Sequence, residues 1–230
     1  MKRKLRYKLL ASLFVVALMF SSISVYASES SQSETDSSVE RYYELKEANN
    51  GIASSYATLK NDTGTEYRIK VFGSEEKNLG NGLYEKEYAF AIDDDIELVS
   101  QGTRASGDTG THTAWDSTGG FSGTIRLLYQ YSGNNYLLTQ VITSWAIHDG
   151  AISYSDLHLV YCCMNPAYSS QYACLTSVTS GATINTGFSH YVNKYEVSAL
   201  GGQLACTLHR YGSSWNFSVE TVLFNNYGIF

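Results

Sequence analysis

Residues 136–161 read YLLTQVITSWAIHDGAISYSDLHLVY, two strand-like runs on either side of Asp149-Gly150. Asp-Gly favours a two-residue hairpin turn, because both central positions must tolerate positive φ. Such a turn sets a register in which His148 faces Ala151, Ile147 faces Ile152 and Trp145 faces Tyr154. One face then carries Leu137, Val141, Trp145, Ile147, Ile152, Tyr154, His158 and Val160, and the other carries Tyr136, Leu138, Ile142, Leu157, Leu159 and Tyr161. Both faces are apolar. Three arrangements account for that: both faces are covered, a bulge switches the faces, or one aromatic face is left open for binding.

Outward from this stretch the same two-residue period runs from residue 53 onward, punctuated by turn signals such as Asp62-Thr63-Gly64, Gly80-Asn81-Gly82, Gly133-Asn134-Asn135, Gly201-Gly202 and Tyr211-Gly212. Many short strands with frequent turns predict an all-β, mainly antiparallel fold, a β-sandwich. Ser37 and Glu40 make a capping-box pattern, and Asn49-Asn50-Gly51 supplies a stop, so one short helix is expected at about residues 39–48. Residues 28–38 carry no apolar side chain and are expected to form a disordered tether. A single domain over residues 39–230 follows, with an N-terminal subdomain over 39–100 as the alternative, because strand composition shifts from Glu, Asp and Lys to Thr, Ser, Tyr and Trp near residue 100.

Residues 1–27 hold five basic residues and no acid, then an apolar run from Leu9 to Phe20 and a small-residue stretch ending at Ala27. This pattern reads as a secretory signal peptide, so the mature protein is expected to be released, secreted and extracellular, with no membrane anchor. Its removal leaves 11 basic against 22 acidic side chains, a net charge of −11. So acidic a chain argues against nucleic acid and anionic membrane surfaces as partners.

Cys162, Cys163, Cys174 and Cys206 are an even set in an exported chain, which argues for disulfides over metal or catalytic thiols. Strand alternation puts Cys163 and Cys206 on apolar sides. It favours a Cys163–Cys206 core bridge and a Cys162–Cys174 loop clamp. A zinc site from Cys206-x-x-His209 is disfavoured because residues three apart on a strand face opposite ways, while His158 with Cys162 is the weaker remaining option.

No catalytic constellation emerges. His112, His148, His158, His190 and His209 show no triad or metal spacing, and there is no Gly-x-Ser-x-Gly elbow and no phosphate-cradling loop. His112 near Asp116 and His148 beside Asp149 are acid-base candidates by proximity alone. Asp93-Asp94-Asp95 with Glu97 is an acid run that reads as a solvated turn more readily than as a calcium loop. No cofactor and no metal are expected. The aromatic content is more informative, since 17 of the 19 Tyr and all three Trp lie beyond Ala27. Tyrosine offers an apolar ring with a polar tip, suited to contact with sugars or peptides.

At residues 124–147 (TIRLLYQYSGNNYLLTQVITSWAI), 186–192 (TGFSHYV) and 207–219 (TLHRYGSSWNFSV) the chain resembles small exported proteins of Gram-positive bacteria, with a Tyr-rich hairpin, a Ser-Trp strand end and a final Arg-x-Gly-Ser-Ser-Trp hairpin. The resemblance implies a secreted β-sandwich and no particular activity. The four cysteines depart from that pattern. The function expected is a non-catalytic extracellular binding module for a glycan, cell wall or host protein, with Trp115, Trp145 and Tyr154 as contact residues. The alternatives are a membrane-active, bacteriocin-like factor built on the Ser/Thr-rich hairpin at 124–148, and a secreted hydrolase.

Overall fold

A computed structural model describes the backbone of residues 26–92, 96–100 and 120–230, and the side chains of these from Ser37 onward. The helix α1 (Tyr26–Ala48) is followed by thirteen strands: β1 (Ser55–Asn61), β2 (Glu66–Gly73), β3 (Lys77–Gly80), β4 (Leu83–Ala91), β5 (Glu97–Ser100), β6 (Phe121–Ser132), β7 (Asn135–Ile147), β8 (Ile152–Met164), β9 (Tyr172–Leu175), β10 (Ala182–Asn185), β11 (Val192–Asn193), β12 (Ala199–Arg210) and β13 (Ser213–Asn225). All of them belong to one antiparallel sheet of order β10-β7-β6-β4-β2-β1-β13-β12-β8-β9, with β11 on β7, β3 on β4 and β5 on β2. The fold is therefore all-β, built as one continuous curled sheet. Pairing of β1 with β13 and of β4 with β6 places the strands before residue 100 in the same sheet as those after it.

Curling folds the two ends of the sheet over a shared apolar core. Phe217 of β13 lies 5.1 Å from Phe90 of β4 and 5.2 Å from Phe121 of β6, ring centre to ring centre, and all three are buried. Edge-to-face and tilted ring pairs of this kind contribute about 0.5–1.5 kcal/mol each beyond the area they bury. The outer face of β2 and β4 is covered by α1, whose Tyr42 and Leu45 pack on Phe72, Ala89 and Ala91. The Tyr42 ring meets Phe72 edge-on at 5.3 Å. Asn50 and Gly51, both at positive φ, end the helix where the sequence signalled a stop. The helix starts well before residue 39, so residues 28–38 fall within its N-terminal half rather than in a separate tether.

The 149–150 connection corrects the expected hairpin. β7 is paired on its two edges by β6 and by β10 and β11, and β8 by β12 and β9, so no ladder joins β7 to β8. Gly150 does not adopt the positive φ that the two-residue hairpin turn needs. Instead the chain crosses from one half of the curled sheet to the other. Asp149 closes a turn by accepting from the Ala151 and Ile152 amides at 2.8 and 2.9 Å. True two-residue hairpins form at Gly133-Asn134 and at Tyr211-Gly212, where both Tyr211 and Gly212 have positive φ.

Two bulges explain the doubly apolar pattern, the face-switching arrangement among the three that were open. On β7, Thr139 is the extra residue, since Leu128 faces Gln140 while Tyr129 faces Leu138. The inward positions shift from Tyr136 and Leu138 to Val141 and Trp145, and the Thr139 hydroxyl donates to the Leu128 carbonyl at 2.9 Å. On β8 the register slips around Asp156, which takes φ 53°, and core positions pass from Ile152 to Leu157, Leu159, Tyr161 and Cys163. A bulge is the device by which one strand can direct residues of opposite parity into one core.

The expected disulfides are not formed, and all four thiols are free. Cys163 stands opposite Leu200, and Cys206 lies six residues further along β12, a separation of about 20 Å at strand rise. A disulfide needs Cα atoms within about 7 Å. Cys174 faces Val160, which makes it only a diagonal neighbour of Cys162, and Cys162 is buried with Met164 and Ala199 while Cys174 is exposed.

Candidate ligand-binding cleft

Tyrosines converge at the end of the curled sheet that holds the β6–β7 turn. Register builds the cluster: Tyr84 of β4 faces Tyr129 of β6, and Tyr131 of β6 faces Tyr136 of β7. Directly opposite residues share a face, and so do residues two apart, so all four rings project to the inside. Tyr84 stacks on Tyr131 at 4.3 Å, Tyr131 on Tyr136 at 5.2 Å, and Phe224 of β13 meets Tyr136 edge-on at 5.5 Å from the opposite half.

A cavity of about 400 Å³ opens beside these rings, lined by Tyr129, Tyr136, Tyr195 and Phe224 with Glu76, Lys86 and Lys194 among them. That volume lies within the ordinary range for small-ligand sites, about 300–1,000 Å³. The Tyr129 hydroxyl donates to the Glu76 carboxylate, and burial together with that carboxylate raises the phenol well above its usual value. Tyr131 is pushed up to about 12, first by its hydrogen bond with Tyr84. Both phenols therefore stay protonated as neutral donors.

Lys194 and Tyr195 stand on a short loop held from two sides. The Lys194 amide donates to the Asn134 carbonyl at 3.0 Å, and the Asn226 side chain donates to the Lys194 carbonyl at 2.6 Å. The Lys194 ammonium lies 5.7 Å from the centre of the Tyr136 ring and 5.0 Å from that of Tyr195, whose phenol oxygens hold its pKa above the usual lysine value. Lys86 sits between Tyr84 and Tyr88 on the inward parity of β4, with its ammonium 5.6 Å from the Tyr88 ring centre. Tyr195 is 74% exposed and forms a free aromatic lip.

The contact residues expected from sequence are placed elsewhere. Trp115 lies outside the described residues, as do His112, Asp116 and Asp93 to Asp95. Trp145 is 6% exposed, with its amide and carbonyl both bonded to the Ser180 hydroxyl at 2.8 Å. It is a core residue and offers no free face to a ligand, which corrects its assignment as a contact. Tyr154 is exposed and meets Trp145 edge-on at 6.3 Å, so the two do touch, across the curl rather than along a ladder. Trp145 is nine residues from Tyr136 along β7, about 30 Å from the cleft.

Among the described residues the histidines do not gather. His148 Nε2 is 2.7 Å from Ser122 Oγ, itself 2.7 Å from Ser38 Oγ, and both hydroxyls are buried. His209 lies between the Ser155 and Ser214 hydroxyls at 3.0 Å each, His158 Nδ1 is 2.9 Å from the Asp156 carbonyl, and His190 stacks on Tyr168 at 4.2 Å. The Asp149 carboxylate is bound to Arg210 at 2.8 Å. Among the described residues no three His, Cys, Asp or Glu side chains form a metal-binding group. The cleft offers planar aromatic faces for C–H contacts with neutral and charged polar groups at their margins. Comparison with protein-family models, curated proteins and solved structures finds no match for this chain.

Proposed function

We propose that this protein is an exported, non-catalytic binding module that takes a glycan in the tyrosine-lined cleft. The observation that carries the reading is a cavity of about 400 Å³ lined by Tyr129, Tyr136 and Tyr195, with Tyr136 held in place by stacking on Tyr131 and Tyr195 exposed at the lip. Sugar rings present C–H faces that rest on aromatic rings, and their hydroxyls need donors and acceptors at the edges, which Glu76 and Asn226 supply. The basic, apolar N-terminus supports export, and the net charge of −11 beyond Ala27 supports an extracellular partner other than nucleic acid. The test is a glycan array and a cell-wall pulldown with the wild type and Tyr195→Ala. Retention by wild type that falls about tenfold in the variant is expected, as for loss of one stacked aromatic contact. Absence of any ligand for wild type, or equal retention by Tyr195→Ala, overturns the reading.

A further inference from the structure

The charge arrangement in the cleft goes further than its shape. Lys86 occupies the inward parity of β4 between Tyr84 and Tyr88, and Lys194 rests against Tyr136 and Tyr195. Among the described residues neither ammonium has a carboxylate within 4 Å. The one acid of the cleft, Glu76, accepts from the Tyr129 hydroxyl instead. Other cations on these strands are treated differently: on the outer face Arg126 is paired with Glu85 at 2.9 Å and Arg41 with Glu87 at 2.7 Å. A chain with twice as many acids as bases beyond Ala27 has counter-ions to spare, yet these two lysines share an aromatic cavity without one. Neither ammonium is committed to a carboxylate, so both stand at the cleft available to a bound anion.

We infer that the ligand of this cleft is an acidic glycan whose sugar units carry carboxylates, bound as a short oligouronate segment whose contacts with the two local lysines outweigh the long-range repulsion of a chain at −11. The inference rests on the reading of the cleft as a sugar site. Tyr195 receives a sugar ring face and Tyr136 borders it, while Lys86 and Lys194 receive the carboxylates as charge-assisted hydrogen bonds, the stronger class of such contacts. The cation–π contacts keep each ammonium over its rings before the ligand arrives.

The test is calorimetric titration of the full chain with three probes of matched length: oligogalacturonate, the neutral galacto-oligosaccharide, and a sulfated galacto-oligosaccharide. Wild type is expected to bind oligogalacturonate at least about tenfold more tightly than the neutral probe, and to lose about tenfold in each of Lys86→Gln and Lys194→Gln, the scale of one charged hydrogen bond. Lys194→Arg restores most of the affinity, raised salt weakens it, and thermal unfolding confirms that each variant is folded. Equal or tighter binding of the neutral probe, or full affinity for oligogalacturonate in both Lys→Gln variants, overturns the acidic-glycan assignment while leaving the sugar site standing. Binding of the sulfated probe alone overturns the carboxylate assignment. Binding of none of the three overturns this assignment, and the array then decides the sugar site separately.

Discussion

The Arg210 guanidinium holds the Asp149 carboxylate at 2.8 Å, with both side chains largely withdrawn from solvent, and this pair fixes the point where the chain crosses from one half of the curled sheet to the other. Arg210 ends β12 opposite Ile152, so the bond ties the 149–150 turn to the strand that leads back into the core. Removing the carboxylate takes this ion pair from a guanidinium that is 7% exposed. Asp149→Asn is expected to lose about 1–3 kcal/mol in urea unfolding, whereas Asp149→Asn with Arg210→Met loses less than the two single changes added together, because the pair is lost only once. An Asp149→Asn midpoint equal to wild type contradicts the role given to the pair.

Gly123 is required by close approach. A Cβ there would lie 2.5 Å from the Ser144 carbonyl oxygen and 2.7 Å from the Phe90 ring. The carbonyl belongs to the β6–β7 ladder and the ring to the central aromatic trio, so neither can yield freely. Gly123→Ala is expected to cost about 2–3 kcal/mol, measured by the same unfolding titration. A loss below about 0.5 kcal/mol would mean that β6 packs against β7 and Phe90 less tightly here than described.

Thiol chemistry separates the free-cysteine structure from the disulfide framework expected from the cysteine count. Burial pushes Cys163 up to about 11 and Cys162 and Cys206 up to about 12, while Cys174 is exposed. At mildly alkaline pH a thiol reagent is expected to label Cys174 alone in the folded protein and all four cysteines after unfolding. No labelling after unfolding would show both pairs oxidised.

The same shifts set an alkaline limit on stability. Each buried thiol has a folded pKa above its unfolded value near 9, so its neutral form favours the folded state fully below pH 9, and that contribution is lost as pH rises through 11 to 12. Burial of Tyr88 and Tyr129 acts in the same direction. The unfolding midpoint is expected to fall steadily above about pH 9, and a flat profile to pH 11 would contradict the burial of these groups.

The strand class was legible because alternation and turn residues are local properties: Gly133-Asn134 and Tyr211-Gly212 each close a hairpin where the letters suggest one. Asp149-Gly150 misled because its signal is equally local, while the edges of β7 and β8 are claimed by strands from distant parts of the chain. The bulges at Thr139 and Asp156 carry no distinctive residue, so two strands that look apolar on both faces could not be resolved by period alone. Trp145 looked available for binding only because its parity was read without the bulge that turns it inward. The cleft was half visible: Tyr131 and Tyr136 flank the Gly133 turn in the Tyr-rich hairpin, but Tyr84, Lys86 and Lys194 join them only through pairing of β4 with β6 and of β11 with β7.

The most direct measurement of the central claim is an NMR titration of protein labelled in its tyrosine rings, with oligogalacturonate as ligand. Ring signals of Tyr131, Tyr136 and Tyr195 are expected to shift together and saturate with one dissociation constant, while those of Tyr56, Tyr154 and Tyr211, exposed elsewhere on the sheet, stay in place. Shifts at Tyr154 or Tyr211 with Tyr136 and Tyr195 unmoved would place the binding surface outside the cleft and contradict it.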